Sequence, residues 1–255
     1  MKKDFDILVY SFNDNIKIYP LSDLHYGTEG FMSEKWAEFK NRLLKEKNSY
    51  VVIAGDMINN ALKSSVSNCY TDIRPSEQKQ WLAKELAPIK DKILCIVSGN
   101  HENRSLKDAD DSPLYDVCCK LDIEDKYRPN MAFVKIQLGK RNSDRQTYTL
   151  GVMHGSGGGI YTGGAVNRNE RFGYVIDGLD CLITGHTHKP VLSRPSKMVI
   201  DTHNNKITFK PFTVITATSW LDYGDYALRM QLLPATFALQ EIFLDKKNKE
   251  IAVKF

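Results

Sequence analysis

Short apolar runs recur along the chain, and several end in a small residue followed by a polar pair. Residues 50–54, Ile93–Val97 and Cys181–Thr184 are continuous apolar stretches, the pattern of strands buried on both faces. Residues 7–10 and Ile16–Leu21 also read as strands, joined by the turn-forming run Asn13, Asp14, Asn15. Pro20 cannot donate to a ladder and is tolerated because it sits at a strand end. A helix is expected over residues 33–47, capped by Ser33, with Trp36, Phe39, Leu43 and Leu44 on one face. A second should start at Pro75 and stop before Pro88. A third is opened by Ser112 as cap and Pro113 in the first turn, and carries the stripe Leu114, Val117, Cys118, Leu121.

Residues 132–138 and 147–153 read as strands around the charged loop 139–146, and residues 59–74 as an irregular loop or short helix. From about residue 198 the texture changes to short alternating strands over 198–200, 207–209, Thr213–Thr216, 239–244 and 250–255. Strand–helix units followed by strand-rich sequence predict an α/β (α+β) fold, a four-layer αββα sandwich of two mixed β-sheets flanked by helices. No internal repeat or linker interrupts residues 1–255, so a single domain is expected.

Composition adds little to that picture. Hydrophobic content of 42% and charged content of 26% are ordinary, and a net charge of +4 permits an anionic substrate without requiring one. Five cysteines, an odd number with no C-x-x-C pair, argue against a disulfide framework or a zinc-thiolate site. With no apolar segment resembling a signal peptide or a membrane span, a cytoplasmic protein and no membrane partner are expected.

The chemistry lies where the apolar runs stop. Asp23–Leu24–His25, Gly55–Asp56, Gly99–Asn100–His101–Glu102, His154–Gly155 and Gly185–His186–Thr187–His188 each follow such a run, and together hold five of the six histidines. Asp23, His25, Asp56, Asn100, His154, His186 and His188 form a set of oxygen and nitrogen donors without a thiolate. That mixture suits Mn, Fe, Zn or Ni better than Mg or Ca. Seven donors exceed one first-row ion but apportion over two, and alternation would let residues at i and i+2 point the same way. Two aspartates against two divalent ions leave the centre at about +2, fitted to a phosphate ester and an activated water.

The ordered series D-x-H, G-D, G-N-H-E, H and G-H-T-H resembles the calcineurin-like metallophosphoesterase superfamily, over about two-thirds of the chain. The texture is also similar to the small phosphoesterases of bacteriophage and bacterial genomes. The resemblance implies two divalent transition-metal ions, Mn first among them. Asp23, His25 and His188 would hold one, Asn100, His154 and His186 the other, with Asp56 bridging. His101 would contact the phosphate and protonate the leaving oxygen or stabilise the transition state.

One departure separates the chain from the phosphoprotein phosphatases. Their G-D-x-x-D-R-G supplies a carboxylate and an arginine, whereas here Gly55–Asp56–Met57–Ile58–Asn59–Asn60–Ala61 carries Asn59 and no arginine. The expected activity is therefore hydrolysis of phosphodiesters, with nucleic acid a candidate substrate. A phosphomonoesterase acting on nucleotides or phosphoproteins, and a non-catalytic scaffold with the same fold, are the alternatives. Arg104, Asn59 and Arg168 are candidate substrate contacts. Lys189 and Arg171 lie near the motifs, and the seven glycines of residues 151–164 read as a turn or a loop around phosphate. Glu102 reads either as a support for the site or as a local cap. His203 falls in an exposed turn, and the aromatic run 219–226 either packs a core or stacks a base.

Overall fold

The computed structural model describes residues 3–63, 65, 73–140, 145–159, 161–229 and 231–255. In chain order the strands are β1 (Ile7–Phe12), β2 (Ile16–Leu21), β3 (Ser49–Ile53), β4 (Ile93–Val97), β5 (Tyr127–Arg128), β6 (Met131–Leu138) and β7 (Gln146–Met153). They continue with β8 (Cys181–Thr184), β9 (Val191–Ser193), β10 (Ser196–Asp201), β11 (Lys206–Pro211), β12 (Thr213–Thr216), β13 (Glu241–Leu244) and β14 (Ile251–Lys254). The helices are α1 (Ser33–Lys45), α2 (Pro75–Leu86), α3 (Glu102–Ala109), α4 (Pro113–Lys120), α5 (Thr162–Val175) and α6 (Asp225–Arg229).

Two six-stranded mixed sheets, ordered β1-β6-β7-β8-β12-β9 and β14-β13-β2-β3-β4-β5, pack face to face. The apolar core between them runs from Ile18, Val52 and Cys95 of one sheet to Val134, Leu150 and Ile183 of the other. On the outer face of the second sheet, Trp36 and Leu43 of α1, Leu82 of α2, and Leu114 and Val117 of α4 gather with Leu21, Val51 and Ile53 of the strands. On the outer face of the first sheet, Leu182, Phe212 and Val214 gather with Met131 and Leu179. Gly173 of α5 packs so closely there that a Cβ would lie 2.4 Å from the Phe212 ring. The four layers are αββα.

Several local expectations change. The runs joined at residues 13–15 do not pair: β1 edges the first sheet and β2 lies inside the second. Pro20 is accommodated there because β13 pairs only with Ile16–Ile18, leaving the proline beyond that ladder. The first helix begins at Ser33 itself, with Met32 as its cap residue, and Leu44 is 44% exposed. Ser112 makes no capping hydrogen bond, and its hydroxyl instead lies 3.2 Å from Tyr127 Oη. Cys95, Cys118, Cys119 and Cys181 are free thiols, and Cys69 lies outside the described residues. Among the described residues no helix is long and apolar enough to cross a membrane. His203 is exposed in the turn between β10 and β11.

What positions the site is strand direction. β2, β3 and β4 run parallel, as do β7, β8 and β12, so their carboxyl ends open onto one rim where polar loops can meet.

Candidate metal centre

Asp23 and His25 follow β2, Asp56 follows β3, Asn100 and His101 follow β4, His154 follows β7, and His186 and His188 follow β8. The convergence does not come from strand alternation. Asp23, His25, Asp56, His186 and His188 all have left-handed backbones, with φ between 47° and 72°. Such a conformation costs a non-glycine residue on the order of 1 kcal/mol and persists only where the surroundings enforce it. Here cross-loop hydrogen bonds do so. Asp23 N donates to Gly55 O (3.1 Å), His25 N to Asp56 O (3.0 Å), Gly185 N to His154 O (2.9 Å) and Trp220 N to Asp23 O (3.0 Å).

Two glycines permit the close approach. A Cβ on Gly99 would lie 2.1 Å from Asp56 Oδ1, and one on Gly185 would lie 1.8 Å from Ser22 Oγ.

The donor atoms form linked groups. Asp23 Oδ1 lies 3.2 Å from His188 Nε2 and 3.6 Å from His25 Nε2, and the two imidazole nitrogens are 3.0 Å apart. On the other side, His154 Nε2 lies 2.9 Å from Asn100 Oδ1, and His186 Nδ1 lies 2.8 Å from the same oxygen and 3.2 Å from His154 Nε2. Asp56 Oδ2 stands between the groups, 3.1 Å from His154 Nε2 and 3.8 Å from both His25 Nε2 and His101 Nε2.

These residues fit a cation. Asp23 Oδ1 is fully buried with no hydrogen-bond partner. His154 spends its Nδ1–H on Ala54 O at 2.7 Å, which turns Nε2 toward the carboxylate and carboxamide oxygens. The charge balance agrees. Burial alone would raise Asp23, yet His188 and His25 hold its carboxyl well below the usual range, and Asp56 is lowered likewise by His154. Burial alone would depress His154, but Asp56 and Asp23 raise it to about 10, and His188 is raised by Asp23. His186 is lowered by burial and by the charge of His154. The buried carboxylates need positive charge beside them, which a bound cation would supply.

His101 stands apart from that set. Its backbone N–H donates to Asp56 Oδ1 (2.8 Å), and its Nδ1 lies 2.8 Å from Asn59 O. The partner is thus a main-chain carbonyl and not the Asn59 side chain; Asn59 itself is buried. Arg104 reaches back from α3 with Nη2 2.9 Å from His101 Nε2 and Nη1 3.3 Å from Asn59 O. Burial and the charge of His25 push His101 down to about 3, so the imidazole is neutral with Nε2 accepting from the guanidinium. Arg168, on α5, donates to Ser156 O and lies over Gly157, beside the loop that follows His154. Lys189 Nζ holds Gly159 O of the same loop at 3.2 Å.

Glu102 proves more important to the site than its sequence position suggested. Fully buried at the start of α3, it accepts from Gly99 N (2.8 Å), Asp56 N (2.9 Å), Met57 N (2.8 Å) and Ile58 N (3.3 Å). Burial and the charge of Asp56 push it up to about 7, offset in part by those N–H groups. Asn60 adds a second tie, donating to His101 O and Ser105 Oγ, each at 2.8 Å. Its sequence signal was only a G-D loop rich in carboxamides. Trp220 packs against Trp36, Phe39 and Phe237, so the aromatic run contributes core and, through Ser219 Oγ and Trp220 N, support for Asp23 O.

Fold and donor set together define a metal-dependent hydrolase of phosphate esters. The chain belongs to the calcineurin-like phosphoesterase family, whose model matches residues 16–190, more than half of its length. No curated protein matches it.

Proposed function

We propose that this chain is a phosphodiesterase that works with two divalent ions, Mn²⁺ the preferred one, and that a nucleic-acid strand is among the diesters it accepts. The observation that carries the reading is Asp56 Oδ2, which lies within 3.8 Å of imidazoles from both donor groups and so has the position of a bridge. Asp23, His25 and His188 would hold one ion, and Asn100, His154 and His186 the other. When bound, the ions supply Lewis acidity, lowering the pKa of a water and polarising the phosphoryl oxygens for in-line displacement.

The rest falls to side chains. His101 and Arg104 stand together at the edge of the donor set. An incoming phosphate oxygen would take the guanidinium N–H from His101 Nε2, and its negative charge would favour the imidazolium. Having taken a proton from solvent at Nε2, His101 would then donate it to the leaving oxygen while Asn59 O holds the ring through Nδ1. A carbonyl in place of a carboxylate behind His101 leaves less negative charge facing the substrate's leaving group. Arg104 supplies one guanidinium beside His101. The same guanidinium favours a monoesterase as second reading, because a dianionic phosphate would bind it more strongly.

Hydrolysis of paired chromogenic mono- and diesters with Mn²⁺ separates these readings, with His101→Ala and Asp56→Asn as controls. Diester preference lost in both variants is expected, followed by trials on single- and double-stranded DNA and RNA. Monoester preference would overturn the proposal.

A further inference from the structure

The hairpin formed by β10 and β11 has its faces inverted for a molecule that stands alone. Its register pairs Met198 with Phe209 and Ile200 with Ile207, which places all four on one face. They are 66%, 67%, 73% and 58% exposed, respectively. Ser196 and Pro211 complete that face, so it carries no charge. The other face holds Lys197, Val199, Asp201, Lys206, Thr208 and Lys210. It is the one turned toward the body: Lys197 Nζ donates to Ile176 O and lies 5.4 Å from the centre of the Phe212 ring. A two-stranded hairpin is marginal in water unless an apolar face is covered. Here the apolar face is the uncovered one.

We propose that this face docks on the same face of a second copy of the chain, forming a four-stranded, two-layer β-sandwich about a two-fold axis. Three observations favour a second copy. The face is uncharged, so stacking like on like opposes no charges, and the lysines stay on the outer side of both hairpins. The four side chains expose about 500 Å² per copy, so pairing would remove about 1,000 Å² in total, near the lower bound of specific interfaces. Finally, the hairpin leads into Thr213, the start of β12, whereas the donor loops gather beyond the strands' carboxyl ends. Pairing there leaves the metal centre open.

Sedimentation of the full chain over about 1–100 µM tests this. The wild type should pass from monomer to dimer within that range. Phe209→Lys should abolish the dimer, and Ile200→Thr with Ile207→Thr should weaken it at least about tenfold, with phosphoesterase activity retained. The threonine pair keeps two β-branched strand residues, so it reports even where the lysine variant fails to fold. A wild type monomeric at the highest concentration overturns the proposal, whether or not it binds phosphatidylcholine vesicles through this face. So does a dimer indifferent to both variants, which would move the contact elsewhere, the β1 edge with exposed Phe5, Ile7 and Val9 being the next surface.

Discussion

His101 and Glu102 are neighbours in sequence and do opposite work. His101 faces the donor set with its ring tied to Asn59 O, while Glu102 turns inward and gathers four backbone N–H groups from two loops. Replacing His101 by Asn should therefore lower turnover by about 10²–10⁴-fold with metal content unchanged. Steady-state kinetics beside elemental analysis would check this, and loss of metal in the variant would contradict it. Glu102→Gln should act first on stability, because an amide offers one acceptor oxygen where four donors converge. A loss of about 3 kcal/mol is expected in chemical denaturation. The order of the motifs singled out seven candidate donors and His101, and the structure brings these residues together. The sequence did not show the left-handed backbones that aim Asp23, His25, Asp56, His186 and His188, because those follow from hydrogen bonds between distant loops. Glu102 was equally hard to place, since burial of a charged residue has no local pattern.

At the scale of elements, legibility followed the apolar stripe. Buried runs such as β4 and β8 coincide with their sequence boundaries, and α1, α2 and α4 begin within a residue of expectation. α3 and α5 carry no such stripe. α3 buries only Glu102 and Ser105, and α5 opens on glycines and buries Ala165, Asn169 and Gly173. Asn169 is there for a polar reason, with Nδ2 donating to Thr184 Oγ1 (2.9 Å) and Thr216 Oγ1 (3.2 Å).

The seam between β2 and the end of α1 is held by charge. Lys17 Nζ and Tyr19 Oη (2.7 Å) both donate to Glu46. Burial would raise the Glu46 carboxyl, but Lys17 and Tyr19 hold it below its ordinary 4.5. A carboxylate lowered on folding stabilises the fold fully above its unfolded value and loses that contribution as the pH falls through its folded one. Glu46→Gln should then cost about 1 kcal/mol at neutral pH, with the gap to wild type closing below pH 4.5. A gap that stays constant into stronger acid would contradict this.

Across the whole molecule, the αββα layering was legible from alternating strands and helices, whereas the strand order was not. β1 and β2 are adjacent in sequence yet lie in different sheets, and the C-terminal β13 returns to pair with β2. Those pairings are settled by burial between the sheets, which no short window of sequence contains. The same arrangement brings five strand ends to one rim and places Asp56 between the two donor groups. The most direct test of the proposed two-ion centre is therefore whether Asp56 joins two ions. After reconstitution with Mn²⁺, the wild type should hold two ions per chain with an exchange-coupled paramagnetic resonance spectrum, and Asp56→Asn should lose the coupling together with one or both ions. A single uncoupled ion in the wild type, or coupling that survives in Asp56→Asn, would contradict the bridged centre.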